Sequence, residues 1–347
     1  MPDPVLGVVV VSFNSSDVIL DCLESLLAET GVRLHVVVVD NASTDGTPDL
    51  IADWAAGRHP WHAPGDLPFA LAPAPKPLAL AGPEGLTPSA PALTLLRAPV
   101  NGGFAAGVNL GLAQLARDPG IGRFWVLNPD GVSAPGTARA FATHPAPAGG
   151  FSLMGGRVTY MTPPDQIQSD GGIINRRTGV TGNIHLGASF AATPDPDASG
   201  MDFIAGASMV ASRAFYEAAG PLPEDYFLYY EEVDWALRRG ALPLAFCPDA
   251  RVFHRAGTAI GSPTLTRIAS PFALYFLHRG RLRFVRRWFP AALPVAWAYT
   301  LAKAAQYALK GHPAAARATL AGALGARPPA AVRARLSPAA AALAFAK

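Results

Sequence analysis

The sequence predicts an α/β fold with a mostly parallel central sheet and a basic helical extension at its carboxyl-terminal end. Two observations predict the sheet: apolar runs of strand length, such as Val5–Phe13 and Leu34–Val39, and the helical spacing of Val18–Ala28 between them. Continuous apolar runs are typical of parallel strands that are buried on both faces. Strands separated by helices imply βαβ units. A helical, acid-free carboxyl-terminal part predicts the extension.

The composition excludes several other classes of protein. The chain has 347 residues, of which 50% are hydrophobic and 15% charged, with only two cysteines and no Gly-X-Y period. A disulfide scaffold, a coiled coil, a disordered chain and a collagen are therefore excluded. Cys22 and Cys247 are predicted to be buried free thiols in a reducing cytoplasm. The amino-terminal residues MPDPVLG lack the basic region and apolar core of an export signal.

The alternation of strands and helices continues along the chain. Each further element is bounded by turn or cap residues, and the apolar spacing decides its type. The further predicted elements are a helix over Thr47–Ala56, a strand over Leu93–Arg97, a helix from Phe104 to Ala116, a strand over Arg123–Leu127, a strand near Gly155–Tyr160, helices from about Ser212 and Glu231, and strands near Pro243–Phe246 and Arg251–His254.

Residues 57–92 interrupt this pattern with nine prolines. Proline-rich segments of this kind are extended and lack a helical or strand period, so we expect a mobile surface insertion. No cluster of reactive residues occurs in it, which favours a tolerated insertion over a catalytic lid. The predicted domains are residues 1–265, which carry the sheet and the insertion, and residues 266–347, the basic extension.

Charge is distributed unevenly between the two ends of the chain. Residues 250–347 contain 15 Lys and Arg and no Asp or Glu, whereas the preceding residues contain 13 Lys and Arg and all 25 acids. A basic block of this size is typical of a protein that meets an anionic surface, either membrane lipid or nucleic acid. Basic and aromatic residues alternate over residues 279–289, which favours a membrane. The apolar stretch Phe289–Ala302 is too short to span one, and suits a helix lying on its surface.

Polar side chains follow three of the predicted strands. Asp40, Asn101 and Asp130 each follow a predicted strand within four residues. Because the carboxyl ends of parallel strands meet at one edge of a sheet, we expect these side chains to converge on one crevice. Taken singly, each motif is also compatible with an ordinary turn or helix cap.

The glycines of these loops exclude one class of nucleotide site. Asn101-Gly102-Gly103-Phe104 allows close backbone approach to an anion at a helix amino terminus, but it is not a G-x-G-x-x-G fingerprint. The loop after the first strand, residues 12–17, contains no glycine and no basic residue. A dinucleotide-binding Rossmann domain therefore lacks its main support. A nucleotidyltransferase, which we keep as an alternative enzyme class, should have a Gly-rich and basic phosphate loop after the first strand, and this loop lacks both features.

A cluster of acids opens the helix that begins at Glu231. Glu231, Asp234 and Arg238 share one face of this helix with Trp235, and Glu232 lies next to them. Neighbouring carboxylates raise one pKa, which suits a general base, although acids in a first helical turn also complement the helix dipole. An aromatic run, residues 226–230, precedes the cluster, and His254 ends a later strand.

Taken together and in this order, the motifs resemble those of the family 2 inverting glycosyltransferases with a GT-A fold, and most of all their rhamnosyltransferase-type branch. The likeness covers residues 5–285 without the insertion. The matching motifs are Val9-Val10-Val11-Ser12-Phe13-Asn14, Val38-Val39-Asp40-Asn41-Ala42-Ser43-Thr44-Asp45-Gly46-Thr47, Asn101-Gly102-Gly103-Phe104 with Gly107-Val108-Asn109, Asn128-Pro129-Asp130, Phe203-Ile204-Ala205-Gly206-Ala207, Glu231-Glu232-Val233-Asp234, and Pro248-Asp249 through His254.

The resemblance implies a role for each matching residue. Asp130 would bind the metal, in an acidic triplet whose first member is here Asn128, and His254 would assist the metal or the diphosphate. The second residue of the acid motif, Glu232, would be the catalytic base, with Glu231 as its rival and Asp234 in the same cluster. The residues expected to bind the nucleotide or to line the donor pocket are Ser12, Asn14, Asp40, Asn41, Asp45, Gly103, Phe104, Asn109 and Asn128.

The resemblance also implies an activity and its partners. We expect a transferase that moves a sugar from a nucleotide-diphosphate sugar to a hydroxyl of a glycan or lipid-linked acceptor, with Mg²⁺ or Mn²⁺ as cofactor. The expected place is the cytoplasmic face of the plasma membrane, as a peripheral protein on an anionic surface, without nucleic acid as a partner. A non-catalytic membrane adaptor is the alternative that needs no Glu231–Asp234 cluster.

Overall fold

A computed structural model describes residues 3–82, 93–255, 261 and 268–346. The strands are β1 (Val5–Ser12), β2 (Arg33–Asp40), β3 (Leu80–Ala81), β4 (Leu93–Arg97), β5 (Arg123–Leu127), β6 (Gly131–Ser133), β7 (Leu153–Tyr160), β8 (Ile167–Ser169), β9 (Gly172–Asn175), β10 (Val180–Asn183), β11 (Ser208–Ser212) and β12 (Ala245–His254). The helices are α1 (Ile19–Leu27), α2 (Thr47–Ala55), α3 (Phe104–Ala116), α4 (Thr137–Thr143), α5 (Arg213–Ala219), α6 (Glu231–Leu237), α7 (Pro271–Trp288), α8 (Leu293–Leu309), α9 (Pro313–Ala323), α10 (Ala330–Arg333) and α11 (Pro338–Ala344).

One large, mostly parallel sheet forms the centre of the protein, as the sequence predicts. Its order is β3-β4-β2-β1-β5-β11-β7-β12-β6, with β8 paired to β7. β1 pairs in parallel with β2 and β5, β2 with β4, and β12 with β7. Strand β11 runs antiparallel between β5 and β7. Because Ser12 pairs with Asp40, and Asp40 with Arg97, the carboxyl ends of β1, β2 and β4 lie side by side.

The apolar strands are buried on both faces, as their continuous runs predict. Val9 and Val11 of β1 join a core shared with α3, α5 and α6, whereas Val8 and Val10 join a core shared with α1, α2 and α4. Successive side chains of a strand point to opposite faces, so an uninterrupted run supplies both cores. The free thiols Cys22 and Cys247 are both buried, as predicted.

The predicted elements of the first 130 residues agree with the observed ones to within two residues. The two strands predicted near Pro243–Phe246 and Arg251–His254 are instead the single strand β12. Its pairing with β7 shifts register between Phe246 and Arg251. Pro248 lies in this interval and has no N–H for the ladder, so the strand continues through an irregularity rather than ending.

The described part of the proline-rich insertion, residues 57–82, is tied to α1. The Trp61 indole N–H donates to Asp21 (2.8 Å), and the Lys76 ammonium pairs with the buried carboxylate of Glu24 (2.9 Å). Its leucines, among them Leu67, pack against the core. These contacts hold the described part of the insertion against α1 and the core. Residues 83–92 of the predicted insertion lie outside the described residues.

The carboxyl-terminal part is helical, as predicted, and its first helix packs against the sheet domain. Phe284 and Val285 of α7 are fully buried in the core that α3 and α6 share. Helix α9 crosses α7 so closely that a Cβ on Gly322 would lie 2.1 Å from the Tyr275 carbonyl oxygen. The domain boundary predicted at residue 265 falls outside the described residues. No helix among those described has the length and apolar character needed to cross a bilayer.

Candidate active site at the carboxyl edge of the sheet

A cavity of about 420 Å³ opens at the carboxyl ends of β1, β2, β5 and β12. In a parallel sheet this edge is where ligands bind. The polar residues of its lining include Asn41, Asn101, Asn128, Asp130, Gln168 and His254, and the apolar residues include Phe13, Phe104, Phe227, Tyr229, Phe272 and Leu277. A cavity with an apolar wall and a few convergent polar groups has the character of a ligand site.

Asp130 and His254 face each other across the polar side of the cavity. His254 Nε2 lies 3.0 Å from Asp130 Oδ1 and 3.2 Å from the side-chain nitrogen of Asn128. The other ring nitrogen, Nδ1, lies 2.8 Å from Gln168 Oε1. A hydrogen on Nδ1 is donated to Gln168, and a hydrogen on Nε2 is donated to Asp130. Three chain segments far apart in sequence therefore hold one imidazole in a fixed orientation.

The carboxyl group of Asp130 is kept ionised by its neighbour. Burial in the cavity wall raises its pKa, but the charge and hydrogen bond of His254 outweigh burial and hold the pKa below its ordinary value. Asp130 is 7% exposed and His254 is 6% exposed, so both act in a poorly solvated environment. An ionised carboxylate next to an imidazole is an electron-rich pair.

The Asp130 carboxylate and the His254 imidazole could together bind a divalent cation. Within residues 3–82, 93–255 and 268–346 there is no group of three or more His, Cys, Asp or Glu that can hold a metal. A cation bound at Asp130 and His254 would therefore take its remaining ligands from water and from an anionic ligand. One carboxylate oxygen and one imidazole nitrogen suit Mn²⁺. Gln168 contacts the imidazole nitrogen on the side away from Asp130, as the hydrogen-bond partner of a metal-binding histidine does.

Asp40 lies beside the cavity, and its neighbour Asn41 lines it. The Ser12 hydroxyl donates to Asp40 Oδ1 (3.3 Å), and the Ser43 backbone N–H donates to Oδ2 (3.1 Å). The Asn41 side chain donates to the Gly103 carbonyl (2.9 Å) and accepts from the Gly102 N–H (3.3 Å). Asn41 thereby joins the loop after β2 to the loop after β4.

Asn14 and Asp45 hold two loops together outside the cavity lining. The Asn14 side-chain oxygen Oδ1 accepts from the Thr44 N–H (2.8 Å), and the Asp45 carboxylate accepts from the backbone N–H groups of Ser16 and Thr47 (both 3.0 Å). These bonds connect the loop after β1 to the start of α2. Their geometry is that of turn and cap residues.

Gly103 is required by close contact with the segment before α6. Its φ is 93°, and a Cβ there would lie 2.3 Å from the Phe227 carbonyl oxygen. The same carbonyl accepts the Phe104 N–H (2.9 Å), which starts α3. Phe227, Tyr229 and Tyr230 themselves have φ values of 63°, 66° and 76°. Such strained non-glycine residues are concentrated at functional sites.

We expect Gly103→Ala to destabilise the protein by about 2 kcal/mol or more, because the new methyl group meets both the positive φ and the Phe227 carbonyl. Equilibrium denaturation measures the change in unfolding free energy. Gly122→Ala is the matched control, since no atom lies within 4 Å of its added Cβ and its φ is not positive. Equal stability of the two variants would contradict this account of the loop.

Glu231 and Glu232 open α6 but differ in exposure. Glu231 is 3% exposed, and among the described residues its Oε2 has no hydrogen-bond partner. Glu232 is partly exposed beside Gly206, where an added Cβ would lie 3.7 Å from Glu232 Cγ and 3.6 Å from the ring of Phe104. Phe104 lines the cavity, so Glu232 stands at its edge.

The two glutamates also differ in pKa. Burial, followed by the charge of Glu232, raises the pKa of Glu231 well above its ordinary value and so favours its neutral form. Burial raises the pKa of Glu232 to about 6, against backbone N–H groups that favour its ionised form. A carboxylate with this pKa is ionised at neutral pH and retains affinity for a proton, as a general base requires.

Asp234 is fully buried, and its carboxylate accepts hydrogen bonds from three side chains. Tyr226 Oη (2.7 Å), Arg238 Nε (2.8 Å) and Arg287 Nη1 (2.7 Å) all donate to its carboxylate. Burial and the negative charge of Asp234 raise the pKa of Tyr226, so its hydroxyl remains a donor. Because one donor is Arg238 of the loop after α6 and another is Arg287 of α7, the carboxylate anchors α6 to α7.

Asn109, which the resemblance predicts in the donor pocket, is not among the residues that line the cavity. Its side-chain nitrogen donates to the Leu222 carbonyl (2.9 Å) and to Glu224 (2.8 Å), and its oxygen accepts from the Leu222 N–H (2.9 Å). The residue lies on α3 beside the loop before α6, and its amide holds that loop.

Several cavity residues have no signal in the sequence. Thr181 and Asn183 come from the β9–β10 hairpin, and Phe272 and Leu277 come from α7. A hydrogen bond connects the hairpin to the segment before α6, since the Tyr230 hydroxyl donates to the Gly179 carbonyl (2.7 Å). The Gly-rich character of residues 170–187 was visible in the sequence, but which of its side chains reach the cavity depends on tertiary packing.

Comparison with known proteins identifies the fold. Residues 7–63 match the family model "Glycosyl transferase family 2". The mannosyltransferase PcManGT from Pyrobaculum calidifontis, solved with GDP-Man and Mn²⁺, has a TM-score of 0.52 and 18% identity over 93% of this chain and 89% of that chain. GalNAc-T7, solved with UDP, GalNAc and Mn²⁺, has a TM-score of 0.51 and 12% identity over 85% of this chain and 50% of that chain.

The fold is a GT-A fold. The matched family segment runs from β1 through α2, and therefore includes the loops of Ser12 and Asp40. A curated relative, the succinoglycan biosynthesis protein ExoO of Rhizobium meliloti (strain 1021), is 49% identical over 49 residues. This match spans 14% of this chain and 14% of the relative. The predicted α/β class and GT-A type are confirmed.

Proposed function

We propose that this protein is an inverting glycosyltransferase that uses a nucleotide-diphosphate sugar. One observation carries the proposal: the Asp130–His254 pair and the Asn41 and Gly103 loops line one cavity, with Glu232 at its edge. Such a cavity has a place for a metal-diphosphate, a nucleotide and a base. The GT-A fold and the family 2 match over residues 7–63 support the assignment.

The acceptor hydroxyl loses its proton to Glu232 in this mechanism. The resulting oxygen attacks the anomeric carbon from the face opposite the nucleotide, and the bond from that carbon to the diphosphate oxygen breaks. A single displacement inverts the anomeric centre. Holding both substrates in line lowers the barrier further. Burial raises the pKa of Glu232, and Asp234 positions α6 through its bonds to Arg238 and Arg287.

Asp130 and His254 are the residues that would hold a divalent cation, with Mn²⁺ favoured by the imidazole ligand and Mg²⁺ as the other ion to test. When bound, the cation supplies positive charge next to the departing diphosphate. Ser12, Asp40 and Asn41 would contact the base or ribose. Asn14 and Asp45 would act indirectly, through the loops that they hold.

The partners follow from the fold and from the charge of the tail. We propose a glycan or lipid-linked acceptor in cell-surface polysaccharide synthesis, with rhamnose as the first sugar to test. The likeness of the motifs to the rhamnosyltransferase-type branch supports that choice, and a matched relative is named for succinoglycan biosynthesis. The acid-free residues 250–347 support an anionic membrane, the inner face of the plasma membrane, as a further partner.

A thermal-shift screen of nucleoside diphosphates and nucleotide sugars, with and without Mn²⁺, tests the donor site. We expect one donor to stabilise the protein, and Mn²⁺ to tighten its binding. Asp130→Asn should weaken the Mn²⁺-dependent binding by at least about tenfold, because it removes the charged ligand. Asp249→Asn, at an exposed aspartate, is the control. If no donor stabilises the wild-type protein, or if Asp130→Asn binds it as tightly with Mn²⁺, the donor site is wrong.

A further inference from the structure

The outward face of α8 is apolar along its whole length. Its exposed residues include Val295 (48% exposed), Leu301 (56%) and Leu309 (89%). The complete exposed set is Pro294, Val295, Ala298, Leu301, Ala302, Ala305, Gln306, Ala308 and Leu309, in which Gln306 is the one polar member. At 100° per residue these positions occupy a single stripe, which runs along about 25 Å of helix. We name this stripe the α8 face.

The opposite side of α8 fixes its orientation. Ala296, Thr300 and Ala304 are buried and spaced by four residues. The Arg281 guanidinium of α7 donates to the Ala296 carbonyl (3.2 Å) and to the Thr300 hydroxyl. The α8 face therefore points away from the protein because of specific contacts on its other side. A surface helix of a globular protein normally turns polar residues outward, whereas α8 is apolar on its outer side as well as its inner side.

The charge around the α8 face indicates what covers it. Exposed basic residues flank it in the tail, among them Arg286, Lys310 and Arg317, and residues 250–347 contain no acid. A second copy of the chain would bring two such basic tails together, which is repulsive. An anionic lipid surface instead attracts the basic residues and accepts the apolar ones.

We propose that α8 lies in the plane of an anionic membrane, with the α8 face inserted at the boundary between headgroups and acyl chains. With 17 residues, α8 suits an interfacial helix. The inference rests on the proposed membrane partner, and not on the chemistry of the cavity. The enzyme should therefore still transfer sugar between a soluble donor and a soluble acceptor when α8 no longer binds the membrane.

Co-sedimentation of the full chain with vesicles tests the proposal. We expect binding to vesicles of phosphatidylglycerol and phosphatidylcholine, and at least about tenfold weaker binding of Leu301→Glu/Leu309→Glu. Leu110→Glu/Leu186→Glu is the matched control, since these leucines are 46% and 47% exposed elsewhere in the structure. Unchanged binding of the α8 variant, absent binding of the wild type, or a solution dimer that the α8 variant dissociates would each overturn the proposal.

A second measurement reports insertion independently of affinity. Cys22 and Cys247 are buried, so a polarity-sensitive dye will attach selectively to an introduced surface cysteine. We expect the emission of dye-labelled Ala302→Cys to shift to the blue when the same anionic vesicles are added, and that of Ser199→Cys to stay unchanged. Absence of a shift at position 302 despite vesicle binding would show that α8 stays in water. Loss of donor binding in the thermal-shift screen would refute the cavity's function without affecting either result.

Discussion

Replacing Glu232 by Gln is expected to lower kcat for sugar transfer by about 10²- to 10⁴-fold, the usual contribution of a general base. The substitution keeps the size of the side chain but removes its ability to accept a proton. Donor binding should be unchanged, because Glu232 stands at the edge of the cavity rather than among its lining residues. Steady-state transfer and donor titration, measured on the same variant, separate the two effects.

Glu231→Gln is the matched control for this prediction. The burial of Glu231 and its raised pKa favour the neutral acid, whose size and polarity a glutamine closely imitates. We therefore expect a loss of less than about tenfold in kcat. Should Glu231→Gln abolish transfer while Glu232→Gln remains active, the two glutamates would exchange roles.

The pH dependence of the reaction gives a second check on Glu232. A base must be ionised, so kcat should rise as the pH increases through about 6 and then level off. The stability should show the opposite trend. Because the folded pKa lies above the ordinary value of 4.5, the folded state binds the proton more tightly, and stability falls as the pH rises from 4.5 to about 6. Glu232→Gln should remove the dependence of kcat on this pKa and the part of the stability trend that Glu232 contributes. Glu231, whose pKa is also raised, keeps its own part of that trend. The substitution should not destabilise the protein at neutral pH.

The loops of the site could be predicted because they follow buried parallel strands. The apolar runs that end at Ser12, Asp40 and Leu127 leave no choice of direction, since βαβ connections bring their carboxyl ends to one edge. That reasoning correctly places Asn101 and Asp130 on one cavity. It also explains why each motif was ambiguous by itself, because the same residue types cap helices and form turns, as Asn14 and Asp45 do.

The residues that the sequence did not reveal owe their roles to packing between distant segments. Gln168 orients His254 across 86 positions of sequence, and no local pattern encodes that contact. Asn109 has the residue type of the Gly107-Val108-Asn109 motif, but its side-chain amide donates to Leu222 and Glu224 and does not line the cavity. The sequence predicts the basic residues 266–347 as an extension separate from the site, whereas Phe272 and Leu277 of α7 line the cavity. Deletion of residues 266–347 would therefore disturb the cavity as well as remove the α8 face.

Asp234→Asn is expected to destabilise the protein by about 3 kcal/mol, because it leaves two arginines without the carboxylate that neutralises them. Asp234 is fully buried, and its side chain accepts from Tyr226, Arg238 and Arg287. The side chains of Arg238 and Arg287 are 30% and 37% exposed, so water recovers part of their solvation and keeps the cost below the largest values for buried pairs. Chemical denaturation at neutral pH measures the loss.

Asp225→Asn provides the control for Asp234, because Asp225 pairs with the same Arg287 at 2.8 Å but is 45% exposed. An ion pair in that environment contributes less than about 1 kcal/mol, so the control should be close to wild type. The two aspartates thus separate burial from charge at a shared partner. Equal destabilisation by both substitutions would contradict the anchoring role of Asp234. Loss of transfer in Asp234→Asn should accompany its loss of stability, whereas Glu232→Gln should lose transfer alone, and this contrast distinguishes the residue that positions α6 from the one that accepts the proton.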